Sequence, residues 1–208
     1  MRVPEYSRDV ATAAGVESLG GFLAALQDAG RSPKRACPDL PLQVAQWDSP
    51  LGPVLIAGDE KVVYLVEFWD RRKLDVQFET LRRWLGAVFF PGTSPAIEQM
   101  QSELDAYFQA GLHRFQTPVR CPGTELQEKV WEALRDVAPG TTWSYGELAR
   151  RVGHPRAVRA VAQAVGKNRL AIVIPCHRIV GADGELTGYA GGLIRKRFLL
   201  AHEQAGRA

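Results

Sequence analysis

Residues 144–166 read Ser144-Tyr145-Gly146-Glu147-Leu148-Ala149-Arg150-Arg151-Val152-Gly153-His154-Pro155-Arg156-Ala157-Val158-Arg159-Ala160-Val161-Ala162-Gln163-Ala164-Val165-Gly166. Ser144 with Glu147 has the spacing of a capping box, so a short helix is expected through Leu148 and Val152, closed by Gly153. Pro155 suits the first position of a second helix carrying Val158, Val161, Ala162 and Val165 and ending at Gly166. Two short helices joined by Gly153-His154-Pro155 make a helix-turn-helix pattern, and the second helix is basic. Upstream, Thr124 with Gln127 predicts another capping box before Val130, Trp131, Leu134 and Val137. Downstream, the apolar run Leu170 to Ile174 leads into Pro175-Cys176-His177-Arg178. A turn at Asp183-Gly184, a glycine-rich stretch from Gly188 to Gly192 and a final helix from about Leu193 to Gln204 complete this half.

The first half reads differently. Ser49-Pro50-Leu51-Gly52 is a turn signal, and Val54-Leu55-Ile56 and Val62 to Phe68 flank a second turn at Gly58-Asp59-Glu60, so residues 46–69 are expected to be β structure. Helical spacing returns at Phe78, Leu81, Trp84 and Leu85, and again at Ile97, Met100, Leu104 and Phe108. Ser18 caps an expected helix through Phe22 and Leu26 that stops at Gly30. The fold class is therefore α/β (α+β). Its expected divisions are a helical extension over 1–40, an α/β domain over 41–118 and a helix-turn-helix domain over 119–208, with Pro118, Pro122 and Gly123 marking the last linker.

The 208 residues are 46% hydrophobic and 24% charged, an ordinary globular composition. No apolar run is long enough for a membrane span, and the first fifteen residues lack the apolar core of a signal peptide. Three cysteines, Cys37, Cys121 and Cys176, with no C-x-x-C pair argue against a disulfide framework and a zinc site, so a reducing cytoplasmic setting is expected. The net charge of +3 is unevenly placed. Residues 1–120 hold 13 Lys and Arg against 15 Asp and Glu, whereas residues 121–208 hold 13 against 8. Leu148 to Ala182 contains Arg150, Arg151, Arg156, Arg159, Lys167, Arg169 and Arg178 and no acid. Such a stretch suits a polyanion such as DNA, or is a solvated basic face.

Taken singly, Cys176 after an apolar run reads as a core residue more readily than as a nucleophile. A working thiol needs a base or cation nearby, and adjacent side chains in an extended segment point apart, so contact with His177 requires a turn at Pro175 or a bridging water. Glu203 read alone is a helix-terminal surface carboxylate, and Arg159 a solvated helix arginine.

The string Ile174-Pro175-Cys176-His177-Arg178-Ile179-Val180 resembles the active-site motif of the O6-alkylguanine-DNA alkyltransferases, the methylated-DNA–protein-cysteine methyltransferases of Ada/Ogt type. The likeness extends to Gly123-Thr124-Glu125-Leu126-Gln127 with Val130-Trp131, to Ser144-Tyr145 with Leu148-Ala149, and to Ala157-Val158-Arg159-Ala160-Val161-Ala162. Asn168 falls eight residues before the cysteine, and Gly188-Tyr189 to Gly192, Arg195-Lys196, Leu199-Leu200 and Glu203 continue the pattern. Leu126 stands where Phe is usual, Ala190 where Ser is frequent, and Gln163 where a small residue is common. The resemblance covers about residues 45–205. It implies a small ribonuclease H-like α/β domain followed by a mostly helical, winged-helix-like domain.

It also implies roles. Cys176 takes the alkyl group from guanine O6, once and irreversibly. His177 accepts the thiol proton through a water, and Glu203 orients His177. Tyr145 donates to the base, and Asn168 holds the turn before the nucleophile. Arg159 fills the gap left by the flipped base, while Ala157, Val158, Ala160 and Ala162, with Thr142 and Ser144, meet the DNA. Tyr189, Ala190, Ile179 and Val180 belong to the substrate pocket. No cofactor and no metal is implied. The expected partner is double-stranded DNA carrying O6-alkylguanine, or O4-methylthymine, met by a monomer without a membrane. Two other readings stay open at this point: a non-catalytic alkyl-lesion recognition protein, and a methylation-responsive transcriptional regulator. The second draws on Asp9-Val10-Ala11 to Gly15-Val16-Glu17-Ser18, Phe22 and Gly30-Arg31-Ser32-Pro33, which resemble the second helix-turn-helix of AraC-type factors; a helical extension packed on the core is the alternative.

Overall fold

A computed structural model describes residues 18–29, 40–109 and 114–206. It is a mixed α/β protein with seven helices, a four-stranded mixed sheet and a two-stranded pairing among these residues. Two compact units emerge: residues up to Glu103 with Gln116–Arg120, and Leu104–Phe115 with Cys121 onward.

In the first unit the strands are β1 (Leu40–Ser49), β2 (Gly52–Gly58), β3 (Val63–Phe68) and β4 (Ala87–Pro91), in the order β3-β2-β1-β4. The β1–β2 hairpin closes where expected. Ser49 Oγ accepts from Leu51 N at 3.0 Å and donates to Gly52 O at 2.6 Å, and Gly52 takes φ 101, open at little cost only to glycine. Asp59 builds the next turn by accepting from Lys61 N and Val62 N, each at 2.8 Å. Two strands exceed the expectation. β1 begins at Leu40 rather than near residue 46, and β4 pairs parallel to β1, Leu40 opposite Ala87.

Helix α1 (Leu19–Ala29) and helix α2 (Leu74–Leu85) share one core with Leu42, Val44, Leu55, Ala57, Leu65 and Phe89. Val54, Ile56, Val66 and Phe68 alternate with these along the strands and are also buried, so both sheet faces are covered. Ser18 Oγ accepts from Gly21 N at 3.2 Å at the start of α1. Phe22 meets Phe78 edge-on at 5.3 Å and Trp69 at 5.6 Å. Of the AraC-like pattern, Asp9 to Glu17 and Gly30 to Pro33 lie outside the described residues, as does Cys37.

The second unit holds the end of helix α3 (Pro95–Phe108), then α4 (Glu125–Leu134), β5 (Trp143–Ser144), α5 (Tyr145–Arg151), α6 (Val158–Gly166), β6 (Ile179–Val180) and α7 (Leu193–Ala205). Thr124 and Gln127 form the full capping box of α4. Ser144 caps α5 through Glu147 N at 3.1 Å, but the Glu147 carboxylate turns to Arg151 at 3.0 Å instead of closing the box. Pro155 does not open α6. It is the second residue of a turn in which Ala157 N donates to His154 O at 2.9 Å, and the helix starts at Val158. Trp131 Nε1 donates to Ala164 O at 2.9 Å and pins α4 to α6. On α7 the buried stripe is Arg195, Lys196, Leu199, Leu200 and Glu203. Three charged side chains thus lie on an inward face, which ordinary packing does not favour.

Because α1 completes the core of the sheet unit, Phe22→Ala is expected to cost about 3 kcal/mol in chemical denaturation. An unchanged midpoint would show that the sheet folds without α1.

Candidate active site

The nucleophile candidate is held by a loop, not a strand. Between α6 and β6 the chain makes tight turns, with Ile174 N donating to Leu170 O at 2.8 Å and Arg178 N to Pro175 O at 3.0 Å. Cys176–Arg178 form one turn of 3₁₀ helix, so Cys176 and His177 are not on opposite faces of an extended segment. Ile172 sits at φ 72, a left-handed conformation that a β-branched residue seldom adopts. Asn168 ties the loop together. Its Nδ2 donates to Ile174 O at 2.9 Å and Leu170 O at 3.3 Å, and its Oδ1 accepts from Leu170 N at 3.0 Å. The same Nδ2 reaches Cys176 Sγ at 3.2 Å. A donor aimed at sulfur favours the thiolate over the thiol. Cys176 is buried, 8% exposed.

His177 is fully buried, and its Nε2 lies 2.8 Å from Glu203 Oε1. A carboxylate only accepts, so Nε2 carries the proton and Nδ1 is the lone-pair nitrogen. Nδ1 has no hydrogen-bond partner among the described residues. Burial pushes His177 below its ordinary pKa; Glu203 pulls it up, and the charges of Arg178 and Lys196 push it down. The ring is therefore a neutral base at rest.

Glu203 is 2% exposed and anything but a surface carboxylate. Oε1 accepts from Tyr107 Oη, His177 Nε2 and Arg178 Nη2, each at 2.8 Å. Oε2 accepts from Arg178 Nε at 2.8 Å and Gly140 N at 3.1 Å. Burial alone would raise its pKa, but the hydrogen bonds and charges of His177 and Arg178 hold it well below the usual carboxylate range.

Tyr145, at the start of α5, joins this site. Burial raises its phenol and so does the Cys176 charge, which places the two groups in electrostatic reach; a hydrogen bond with Thr187 acts the other way. A Cβ on Gly188, at φ 43, would stand 3.7 Å from Tyr145 Oη. Lys196 fixes the same stretch. Its Nζ donates to Thr187 O at 2.6 Å, Gly188 O at 3.3 Å and Ile179 O, with no carboxylate among these partners. Burial pushes Lys196 down to about 8, against the pull of Cys176. Tyr189 stands edge-on to His177 at 6.4 Å. Ala190 is exposed, and Ile179 and Val180 are buried in β6, pairing with Trp143 and Ser144.

The helix-turn-helix presents the other candidates. Arg159 and Ala160 are exposed on α6, Val158 and Ala162 are half-buried, Ala157 caps the helix, and Thr142 is exposed before β5. Two of the seven cations in the acid-free stretch face inward: Arg178 meets Glu203 and Val137 O, while Arg169 meets Pro122 O and the Trp131 ring at 5.3 Å. Arg150, Arg151, Arg156, Arg159 and Lys167 remain at the surface. Arg151 stacks on Trp143 at 3.9 Å. Tyr107, Arg178 and Lys196 were not among the expected site residues. Lys196 stands in the resembling C-terminal pattern and on the apolar stripe with Leu199 and Leu200, but neither signal marks it as buried; Tyr107 carried none beyond helical spacing.

A helix-turn-helix with exposed Arg150, Arg151, Arg156 and Arg159 is of DNA-binding type, and similarity to known proteins agrees. The model of the DNA-binding domain of 6-O-methylguanine DNA methyltransferase matches residues 125–205. The methylated-DNA–protein-cysteine methyltransferase of Methanosarcina acetivorans is 41% identical over 159 residues, 76% of this chain and 96% of its own length. That of Mycobacterium tuberculosis is 42% identical over 160 residues, 76% of this chain and 90% of its own. The crystal structure of Mycobacterium tuberculosis OGT in complex with DNA is similar with a TM-score of 0.67 and 36% identity, covering 80% of this chain and 94% of that one. The chain belongs to the methylated-DNA–protein-cysteine methyltransferase family.

Glu203 generates a test of the site's electrostatics. Glu203→Gln leaves Arg178 buried without its full counter-charge and is expected to cost about 3 kcal/mol. A carboxyl depressed by folding adds stability above its unfolded pKa and loses it as the pH falls toward the folded value. Denaturation curves of the native and variant proteins should therefore converge on acidification below the usual carboxylate range. A gap independent of pH would contradict this account.

Proposed function

We propose that this chain repairs DNA by direct reversal, moving the alkyl group of O6-alkylguanine onto Cys176. The observation that carries the reading is the placement on one turn of a buried thiol with an amide donor on its sulfur and a buried imidazole whose Nδ1 has no hydrogen-bond partner among the described residues. In a single displacement, the S–C bond forms as the C–O6 bond breaks, and the electron pair stays on the guanine. His177 Nδ1 takes the thiol proton through a water, and Glu203 stabilises the resulting imidazolium. Tyr145 donates to the base as charge develops there. Asn168 is a positioning residue that keeps sulfur and loop in register. The alkyl thioether is a stable bond whose thiolate is a poor leaving group, so each protein molecule reacts once. Methyl is the alkyl group expected, with O4-methylthymine as a second substrate by resemblance alone.

The base must leave the duplex to meet a thiol held in this way. Arg159 fills its place in the stack, and the small faces of Ala157, Val158, Ala160 and Ala162 allow α6 into the minor groove. Arg150, Arg156 and Lys167 meet phosphates. The sheet unit is read as ribonuclease H-like and the helical unit as winged-helix-like, acting as a monomer in the cytoplasm. No helix among the described residues is long and apolar enough to cross a membrane.

Two substitutions separate chemistry from recognition. Cys176→Ala should abolish methyl transfer from duplex DNA containing O6-methylguanine while leaving lesion binding within a few fold, because neither flipping nor pocket contacts use the sulfur. Joint loss of binding would sink that division. Arg159→Ala should slow repair of duplex DNA by about tenfold more than reaction with a lesion in a single strand, which needs no stack filler. Equal slowing on both would refute the finger role.

A further inference from the structure

Tyr107 lies on α3, a helix whose spacing marks it only as packing, yet its hydroxyl ends on the carboxylate that serves the imidazole. The phenol is 3% exposed and donates to Glu203 Oε1 at 2.8 Å, the same oxygen that accepts from His177 Nε2. It is held in place from two sides. His202 Nε2 bonds the Tyr107 carbonyl oxygen at 2.8 Å, and the ring meets Phe108 edge-on at 5.2 Å and His202 at 5.3 Å. His202 and Glu203 are neighbours on α7, so one turn of that helix supplies both the clamp and the acceptor.

We propose that Tyr107 is a positioning residue for the alkyl-transfer reaction, setting how strongly Glu203 draws on the His177 proton and thereby how readily His177 accepts the proton of Cys176. The proposal rests on the reading of His177 as the base. Besides His177, two donors share Oε1 and two share Oε2, and each one disperses charge that would otherwise act on the imidazole. The groups facing His177 are Glu203 and Lys196 from α7, Arg178 from its own turn and the Tyr189 ring, with Tyr107 acting through Glu203. Burial and then the Glu203 charge hold the phenol well above its ordinary pKa, so it is a donor throughout the working range. Without that donor the carboxylate acts harder on Nε2, the imidazolium is favoured, and less neutral base is present at a given pH.

The test uses Tyr107→Phe, which keeps the ring and removes only the donor. Single-turnover methyl transfer from an O6-methylguanine duplex is followed against pH, and the His177 ring nitrogens are titrated by nitrogen-15 NMR without DNA. The acid limb of the rate profile and the His177 titration should both move upward by about half a pH unit, a roughly threefold loss of rate on that limb. Incorporating 3-fluorotyrosine at position 107, a stronger donor, should move both downward. A uniform loss of rate with an unmoved limb and titration marks a merely structural residue and overturns the proposal. An NMR shift in a protein that transfers no methyl group would instead overturn the repair reading and leave the coupling standing.

Discussion

Five hydrogen bonds end on the carboxylate of Glu203, and the arrangement around Cys176 depends on them. A carboxylate taken out of water is costly unless its lone pairs are met. Here α3 supplies Tyr107, the loop after α4 supplies the Gly140 amide, and the cysteine turn supplies His177 and Arg178. These donors come from three parts of the second unit, so satisfying one charge gathers the unit about one point. The fixed imidazole follows. With Nε2 committed to Glu203, Nδ1 is the nitrogen left to act as base, and its desolvated ring stays neutral until a proton arrives.

The opposite end of the same turn is governed by Asn168. One amide satisfies two backbone carbonyls and still reaches the sulfur, so the loop's conformation and the thiol's polarity are set by a single side chain. The left-handed Ile172 is part of this loop, consistent with a backbone held by its surroundings rather than by its own preference. Lys196 performs the matching task on the glycine-rich stretch, binding three carbonyl oxygens where a surface lysine would find water. Loop geometry and electrostatics around Cys176 are thus set by buried polar groups, while Arg150, Arg151 and Arg159 on α5 and α6 stay exposed.

Local signals in the sequence proved legible. The Thr124–Gln127 and Ser144 caps, the Ser49–Gly52 and Asp59 turns and the 3.6-residue stripes act over a few residues, and the structure has them. What failed was also local in origin. Pro155 fits both a helix start and the second position of a turn, and the turn prevailed. The run Ala87–Pro91 is five residues long with no alternation, and only pairing with β1 makes it a strand. Cys176, His177, Asn168 and Glu203 are site candidates by resemblance, not from the residues themselves. Glu203 looks like a surface carboxylate until α7 is packed. Tyr107 and Glu203 are 96 positions apart, and no spacing rule connects them. A lysine beside Leu199 and Leu200 reads as an amphipathic edge, not as a buried clamp.

The central claim is that Cys176 receives the alkyl group and keeps it. Intact-protein and peptide mass spectrometry after incubation with a duplex carrying one O6-methylguanine tests it directly. The account predicts one added methyl group, on Cys176, saturating at one per protein molecule however much damaged DNA is supplied. Lesion binding without any gain in mass, or a methyl group on Cys121 instead, would contradict it.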